Sequence, residues 1–458
     1  SLHDALPILT NQGEPMPAVL DGKIPFEEMV YTEGEERTQY FVRNIRVEFG
    51  TTLVHSRKIS IRAMIEMEVG CENLIEEETA VDLESSASIY KKQKPVNLLK
   101  LHTAKKDTYR IKEEITIPGT KESIGQVLLT DITGRKLEVR AAQDELLLRG
   151  ELQIFCMYLS EEGKTDWLEQ SVPYEGRIEC SGATEGMYYD VQHALEDTLA
   201  DVRMDEDGEM RIIGIEGTVS LRINLYEEEE LNLLEDLYSL EQKVSYQTRE
   251  AVYEELLLQN QSKCKIVENL SLPELKDDVL QICHSSGSVQ IEHVETRAEK
   301  QGGILIEGIL HVSFLYLKAD DALPFGNWQG MVPFSYLLEC PDMPKDVRYQ
   351  LSNRVEQISV TMTGSDSVEV KAVLDFDVFL RKEVPMQVIT EVSLEETDRE
   401  ELAKKPGIVG YMVKSGDDLW TLAKQYMTTE ESIRQINHLE NGKIKPGDKL
   451  IICKEIGM

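Results

Sequence analysis

The sequence GELQIFCMYL at residues 150–159 returns as GILHVSFLYL at residues 308–317, and both follow the pattern G-x-L-x-[IV]-x-x-x-Y-L. A tryptophan and then a Val-Pro-aromatic triplet follow each copy, namely Trp167 with residues 172–174 and Trp328 with residues 332–334. Motifs that recur in the same order along a chain indicate tandem copies of one structural unit.

Each unit ends in a stretch in which apolar residues occupy every second position. These stretches are residues 59–69, 213–223 and 368–378. In the first and third, the intervening residues are mostly polar, as at Glu66 and Asp375. A strict period of two with one polar face is typical of an antiparallel strand packed on a core. The predicted fold class is therefore mainly β, with tandem antiparallel β-rich repeat domains.

These patterns divide the chain into predicted domains and connections. Apolar residues at helical spacing between Leu237 and Leu256 favour a connecting helix. Because the first unit lacks its front half and the chain starts at Ser1 rather than Met, a true N-terminus is expected to be missing. The predicted order is a truncated first repeat at 1–81, a linker at 82–106, a second repeat at 107–241, the connecting helix at 242–262, a third repeat at 263–396, a linker at 397–410 and a small domain at 411–454.

The last of these segments has the pattern of a short strand, two helices and a final strand. Asp417 or Asp418 can accept hydrogen bonds from the free N–H groups at a helix start. Leu419, Leu422, Ala423 and Tyr426 then follow at the spacing of one apolar helix face. Residues 428–431, Thr-Thr-Glu-Glu, form a predicted capping box for the second helix. Residues 450–452 supply the final strand.

Residues 411–452 resemble the LysM pattern Y-x-V-x-x-G-D-[TS]-L-W-x-[IL]-A-x-x-Y…N…I-x-P-G-x-x-L-x-I along its whole length. The resemblance implies a βααβ fold that binds peptidoglycan or other N-acetylglucosamine-containing glycans in a shallow groove between two loops. Two positions depart from the pattern: Asp418 replaces the usual Thr or Ser, and His438 stands where Pro is common. Since Asp418 adds a carboxylate near a neutral sugar, a protein ligand remains an alternative. Trp420 is interpreted as a packing residue. The implied glycan- or partner-binding residues are Gly416, Asp417, Asp418, Leu419, Asn437, His438 and Leu439.

With a LysM-like tail in place, the repeats resemble those of SPOCS (spore-coat-associated) domain proteins of endospore-forming bacteria. The resemblance rests on the Gly…Tyr-Leu motif, the Val-Pro-aromatic triplet and the terminal alternating strand. It implies a spore-envelope morphogenetic protein in the mother-cell cytoplasm, at the forespore surface or spore coat. It also implies a spore coat morphogenetic protein, the basement-layer ATPase, as partner.

The composition of the chain argues against several classes of partner and binding site. A formal net charge of -35 disfavours nucleic acid, because phosphate binding requires clustered Lys and Arg. No apolar stretch is long enough for a transmembrane segment. The seven cysteines are odd in number and never in C-x-x-C spacing, so neither a disulfide framework nor a zinc site is expected. Neither a cofactor nor a metal ion is predicted.

The sequence predicts a binding protein rather than an enzyme. It contains no phosphate-binding loop, no H-E-x-x-H motif and no G-x-S-x-G motif. His284, His293 and His311 come nearest to a cluster, and they are interpreted as surface or core residues. The leading hypothesis is a non-catalytic scaffold. Two alternatives remain: a cell-wall hydrolase targeted by its LysM module, which requires an acid/base pair of carboxylates in a cleft, and a phage tail or baseplate component.

Overall fold

The computed structural model describes residues 6–9, 15–18, 24–32, 38–55, 58–76, 78–86, 88–276, 278–298, 302–318, 324–396, 406–439 and 443–455. The strands are β1 Leu6–Leu9, β2 Pro15–Ala18, β3 Thr38–His55, β4 Lys58–Asn73, β5 Ile89–Thr116, β6 Ile124–Ala142, β7 Glu145–Ser160, β8 Thr165–Glu179, β9 Tyr188–Met204, β10 Met210–Ser239, β11 Gln242–Ser271, β12 Val279–Arg297, β13 Gly303–Lys318, β14 Phe325–Glu339, β15 Val347–Met362, β16 Ser367–Glu396, β17 Ile408–Met412 and β18 Lys449–Cys453. The α-helices are α1 Leu419–Tyr426 and α2 Glu430–Ile436. The mainly β prediction is confirmed.

Two complete repeats share one topology. The second repeat contains the sheets β6-β7-β8 and β5-β10-β9, and the third contains β12-β13-β14 and β11-β16-β15. In each repeat one continuous apolar core draws on both sheets. The repeated sequences at 150–159 and 308–317 lie in the central strands β7 and β13, and the alternating stretches lie in β10 and β16. Each of these strands is the central one of its sheet, and its buried apolar residues belong to the core of its repeat.

The repeated glycine and the repeated aromatic residue are cross-strand partners. Gly150 pairs with Tyr174, and Gly308 pairs with Phe334. A methyl group on Gly150 would lie 2.5 Å from the Tyr174 ring, because the ring lies over the glycine. At Gly308 the added carbon would also clash with the Gln290 carbonyl oxygen. The motif therefore encodes a glycine that makes room for the aromatic ring of its neighbour on the edge strand.

For the first repeat, the structure describes a hairpin of β3 and β4 that carries the alternating stretch 59–69 in β4. Much of the preceding sequence, including residues 19–23 and 33–37, lies outside the described residues. The hairpin is tied to the other two repeats by Glu72. Its carboxylate accepts from Arg222 Nη2 at 2.8 Å and from Gln350 Nε2 at 2.7 Å, and Arg381 lies at 3.4 Å.

Two connections differ from the prediction. Residues 242–262, predicted as a connecting helix, belong to strand β11, which pairs with β16. The helical spacing was misleading because Leu237 lies on β10 and Val244 lies on β11, on opposite sides of a turn. The linker predicted at 82–106 is largely strand β5. Of the linker predicted at 397–410, residues 397–405 lie outside the described residues, and β17 begins at Ile408.

The chain forms two compact units. One comprises residues 1–75, 101–227 and 256–382, and therefore holds the bodies of the three repeats. The other comprises residues 76–100, 228–255 and 383–458. This second unit joins the C-terminal βααβ segment to the ends of four long strands, β5, β10, β11 and β16.

Candidate glycan- or partner-binding site

The first predicted loop connects β17 to α1 through a tight turn. Gly416 has a φ of 93°, a conformation that glycine adopts without strain. The Asp417 carboxylate accepts from the Lys414 backbone N–H at 2.7 Å and from the Tyr411 hydroxyl at 2.8 Å, and these bonds lower its pKa. Asp418 caps helix α1 by accepting from Thr421 N at 2.6 Å. The loop is thus shaped by its own acidic side chains.

The second predicted loop follows α2 and is pinned to strand β18. Asn437 Nδ2 donates to the carbonyl oxygens of Ile433 at 2.8 Å and Ile451 at 2.7 Å. Asn437 Oδ1 accepts from Ile451 N at 2.7 Å. His438 follows with a φ of 49°, and its side chain is exposed. The asparagine therefore fixes the loop from which His438 projects into solvent.

The structure separates the seven predicted residues into two groups. Leu419 is buried in the core of the C-terminal segment, Leu439 packs against that core, and Asp417 and Asn437 hold the loops by hydrogen bonds. Gly416, Asp418 and His438 are exposed. The second group is the part of the predicted site that is open to a ligand. We call residues 415–418 and 437–439 the recognition loops.

Helix α2 begins one residue later than its predicted capping box. Thr429, rather than Thr428, is the N-cap, and its hydroxyl accepts from Ser432 N at 3.1 Å. Thr428 is fully buried, and its backbone carbonyl accepts from the Tyr238 hydroxyl at 2.9 Å. Tyr238 lies at the end of β10. Thr428 thus belongs to a larger contact between the C-terminal segment and residues on both sides of the β10–β11 turn.

This contact is centred on the carboxylate of Asp236. It accepts from Trp420 Nε1 at 2.8 Å, from Lys424 Nζ at 2.5 Å and from the Tyr246 hydroxyl at 2.7 Å. Burial acts to raise the pKa of Asp236, but the three hydrogen bonds outweigh it and hold the pKa below its usual value. We call Asp236, Tyr238, Tyr246, Trp420 and Lys424 the docking cluster.

Aromatic packing completes the docking cluster. Tyr238 meets Trp420 edge-on at 4.9 Å between ring centroids and stacks on Tyr90 at 5.1 Å. Trp420 is therefore a packing residue, as the sequence predicted. Sequence reasoning missed Asp236 and Tyr238. The position of Trp420 was the available signal, because Trp420 lies beside the apolar face of α1 rather than on it. A large aromatic residue at such a position needs a packing partner from another element.

The C-terminal segment shares its core with residues at the end of β10 and in the turn that follows it. Tyr238 and Leu240 belong to the same buried cluster as the segment's own apolar residues. The physical reason is size, because a domain of some forty residues buries little apolar area by itself. The buried residues of this shared core are Tyr238, Leu240, Val413, Leu419, Leu422, Ala423, Ile433, Leu450 and Ile452.

His284, His311 and Cys156 are engaged in contacts within the repeats. His284 Nε2 lies 2.9 Å from Asp131 Oδ2, and its ring stacks on Phe155; His311 Nε2 lies 2.9 Å from Gln290 Oε1. Burial raises the pKa of the Cys156 thiol to about 12, which makes it unreactive. In the part of the chain that the structure describes, no three His, Cys, Asp or Glu side chains form a group that could hold a metal ion. No helix there has the length and apolarity to cross a membrane.

The fold and its exposed loops define a tandem-repeat β protein that ends in a small βααβ binding domain. The LysM family model matches residues 411–452. The family model described as "SipL, SPOCS domain" matches residues 123–203 and 278–363, which contain the same four strands in the second and third repeats. No curated protein and no solved structure matches the chain.

The chain thus contains a SPOCS domain, matched in two segments, and a C-terminal LysM domain, and both resemblances found in the sequence are confirmed. SPOCS marks a spore-associated protein, and LysM is a glycan-binding domain. Both are binding domains rather than catalytic ones.

Proposed function

We propose that the protein is a non-catalytic scaffold or morphogenetic protein of the spore envelope. Its LysM domain binds a peptidoglycan-type glycan or a coat partner through the recognition loops, and its SPOCS repeats make protein contacts. One observation carries the proposal. The LysM domain is held through Trp420, Lys424 and Thr428, whereas Gly416, Asp418 and His438 remain exposed.

The docking cluster adds a physical advantage for a scaffold. A domain that is fixed to its neighbouring strands loses less conformational freedom on binding than a freely tethered one. The recognition loops are further stiffened by Asp417 and Asn437, whose side chains are bonded to the backbone of the domain. Both features favour a surface that is preorganised for its ligand.

The proposed location is the mother-cell cytoplasm, at the forespore surface or in the spore coat. The proposed protein partner is the coat morphogenetic ATPase of the basement layer. These statements are supported by the SPOCS match and by the combination of SPOCS with LysM in one chain. The net charge of -35 also favours a partner with a basic surface.

Affinity purification from sporulating cells, run in parallel with binding to purified cortex peptidoglycan, tests the proposal. A scaffold is expected to recover a coat protein, the cortex or both, and substitution of His438 should reduce that recovery. Recovery of neither, or recovery that is indifferent to the recognition loops, would contradict it.

One observation favours a hydrolase as a second candidate. Asp190 and Asp377 line the same cavity, and burial raises the pKa of both, for Asp190 to about 6. A glycosidase needs two such carboxylates. However, Asp377 accepts from Arg354 at 2.8 Å, and only 9% of Asp190 is exposed. Release of reducing ends from cortex peptidoglycan, abolished by Asp190→Asn, would establish the hydrolase instead of the scaffold.

A further inference from the structure

The unit that contains the repeats has a half-open cavity of about 520 Å³. Its walls come from four places: β6 at residues 137–140, β9 at residues 188–193, β11 at residues 259–261, and β15 and β16 at Arg354 and residues 377–379. Both complete repeats therefore contribute. The volume falls in the range of small-molecule binding sites, which is roughly 300–1,000 Å³.

The charged groups of the wall are compensated within the wall itself. Arg354 Nη1 bonds Asp377 at 2.8 Å, and Arg140 lies 3.6 Å from Glu138. Only 9% of Asp190 is exposed, and its carboxylate accepts from Asn224 Nδ2 at 3.4 Å, so it offers little charge to a ligand. An ionic ligand would meet no uncompensated charge of opposite sign, so the lining disfavours both anions and cations.

A row of three amides on β11 supplies neutral hydrogen-bonding groups. One end of each amide is held by the protein: Gln259 Oε1 by Tyr189 N at 3.3 Å, Asn260 Nδ2 by Ser262 Oγ at 3.1 Å, and Gln261 Nε2 by Asp375 Oδ2 at 2.7 Å. Within the described ranges, the opposite end of each amide has no protein partner. That leaves the Nε2 group of Gln259 as a donor, and Asn260 Oδ1 and Gln261 Oε1 as acceptors.

His193 and Tyr189 also line the cavity. The His193 imidazole lines the cavity without a hydrogen-bonding partner among the described residues, and burial lowers its pKa to about 4, so it is neutral at physiological pH. A neutral imidazole provides one donor and one acceptor. The Tyr189 hydroxyl donates to the Val139 carbonyl, which holds the ring in the wall as a fixed apolar surface.

We propose that this cavity binds a neutral, polyhydroxylated ligand of the size of a mono- or disaccharide. A hydroxyl group both donates and accepts hydrogen bonds, and so matches a lining in which neutral donors and acceptors are mixed. The Tyr189 ring offers a surface for the C–H face of a sugar ring. The site is separate from the recognition loops, and its ligand is independent of what they bind.

Saturation-transfer NMR on the full chain tests the assignment, with glucose, galactose, N-acetylglucosamine and trehalose as probes and inorganic phosphate as the ionic probe. At least one sugar should bind, and phosphate should not. Asn260→Trp fills the exposed rim of the cavity and should weaken that sugar by roughly ten-fold or more. The matched control is Asn327→Trp, at an exposed strand position outside the cavity, and it should leave binding unchanged.

The inference is wrong if no probe sugar binds at millimolar concentration, if phosphate competes with the sugar, or if Asn260→Trp and Asn327→Trp behave alike. His438→Asp separates this site from the LysM domain. Sugar binding that persists in His438→Asp and disappears in Asn260→Trp assigns the ligand to the cavity. The reverse pattern assigns it to the recognition loops and overturns the proposal.

Discussion

Replacing Asp236 with Ala should release the LysM domain from the end of β10. The substitution removes the common acceptor of Trp420, Lys424 and Tyr246. Hydrogen bonds to a charged acceptor contribute about 1.5–3 kcal/mol each. The side chains of Asp236 and Lys424 are 21% and 36% exposed, so the Lys424 ion pair adds only about 0.2–1 kcal/mol. Because water can reach the freed donors, we expect a net loss of about 2–3 kcal/mol.

Hydrogen exchange followed by mass spectrometry measures this loss locally. The core around α1 includes Tyr238 and Leu240, so weaker docking should lower the free energy of opening of α1. A loss of 2–3 kcal/mol corresponds to roughly 30- to 150-fold faster amide exchange in Leu419–Tyr426. Asp236→Asn keeps the shape and loses the charge, and its effect should be smaller.

The matched control is Asp207→Ala, at an exposed turn position. It should leave α1 exchange unchanged. The pKa of Asp236 is lowered in the folded protein, so its contribution is present above a pH of about 4 and is lost as the pH falls through the lowered value. Exchange in α1 that is unaffected by Asp236→Ala at pH 7 would refute the account of docking.

Three further predictions concern other parts of the molecule. Asp418→Thr retains the helix cap but removes a carboxylate from the recognition loops, so peptidoglycan co-sedimentation should increase for a neutral glycan; an unchanged or smaller bound fraction would contradict this reason. Gly308→Ala should lower the free energy of unfolding in urea by about 1–3 kcal/mol more than Gly150→Ala does, because the added carbon meets the Gln290 carbonyl as well as an aromatic ring. Equal losses in the two variants would contradict this reason. Asp190→Asn should stabilise the protein at pH 7–8, because the raised pKa of about 6 means that folding opposes ionisation of Asp190. The gain in stability should shrink as the pH falls from 6 towards 4. Thermal melts across this range measure it, and a gain that does not change with pH would contradict the prediction.

The regular parts of the fold were accessible from the sequence because they depend on local patterns. The alternation of apolar residues at 213–223 and 368–378 identified the strands, because every second side chain of a strand points to the same face of the sheet. The repeated glycine and aromatic positions identified the tandem units, although their cross-strand pairing appears only in the structure. In the LysM domain, the apolar face of α1 was predicted correctly, and Asp418 is the cap where Asp417 or Asp418 was predicted.

The features that could not be predicted from the sequence depend on long-range contacts. Asp236 meets Trp420 only because β10 and the C-terminal segment share one unit, and no local pattern marks that pairing. The helix predicted at 242–262 is wrong because the apolar residues at helical spacing lie on two strands, with the turn between Ser239 and Gln242 separating them. The cavity requires β11 of the third repeat to lie beside β9 of the second, so Gln259 and His193 could not be connected from their positions in the chain.

Co-sedimentation with insoluble cortex peptidoglycan tests the central claim most directly. We predict that the full chain is retained, that His438→Asp is largely lost from the pellet, and that the matched exposed-histidine control His293→Asp is retained like the unchanged chain. Asp is tolerated at the left-handed backbone position of His438, so the domain should remain folded. Equal retention of all three proteins would show that the recognition loops do not bind the glycan.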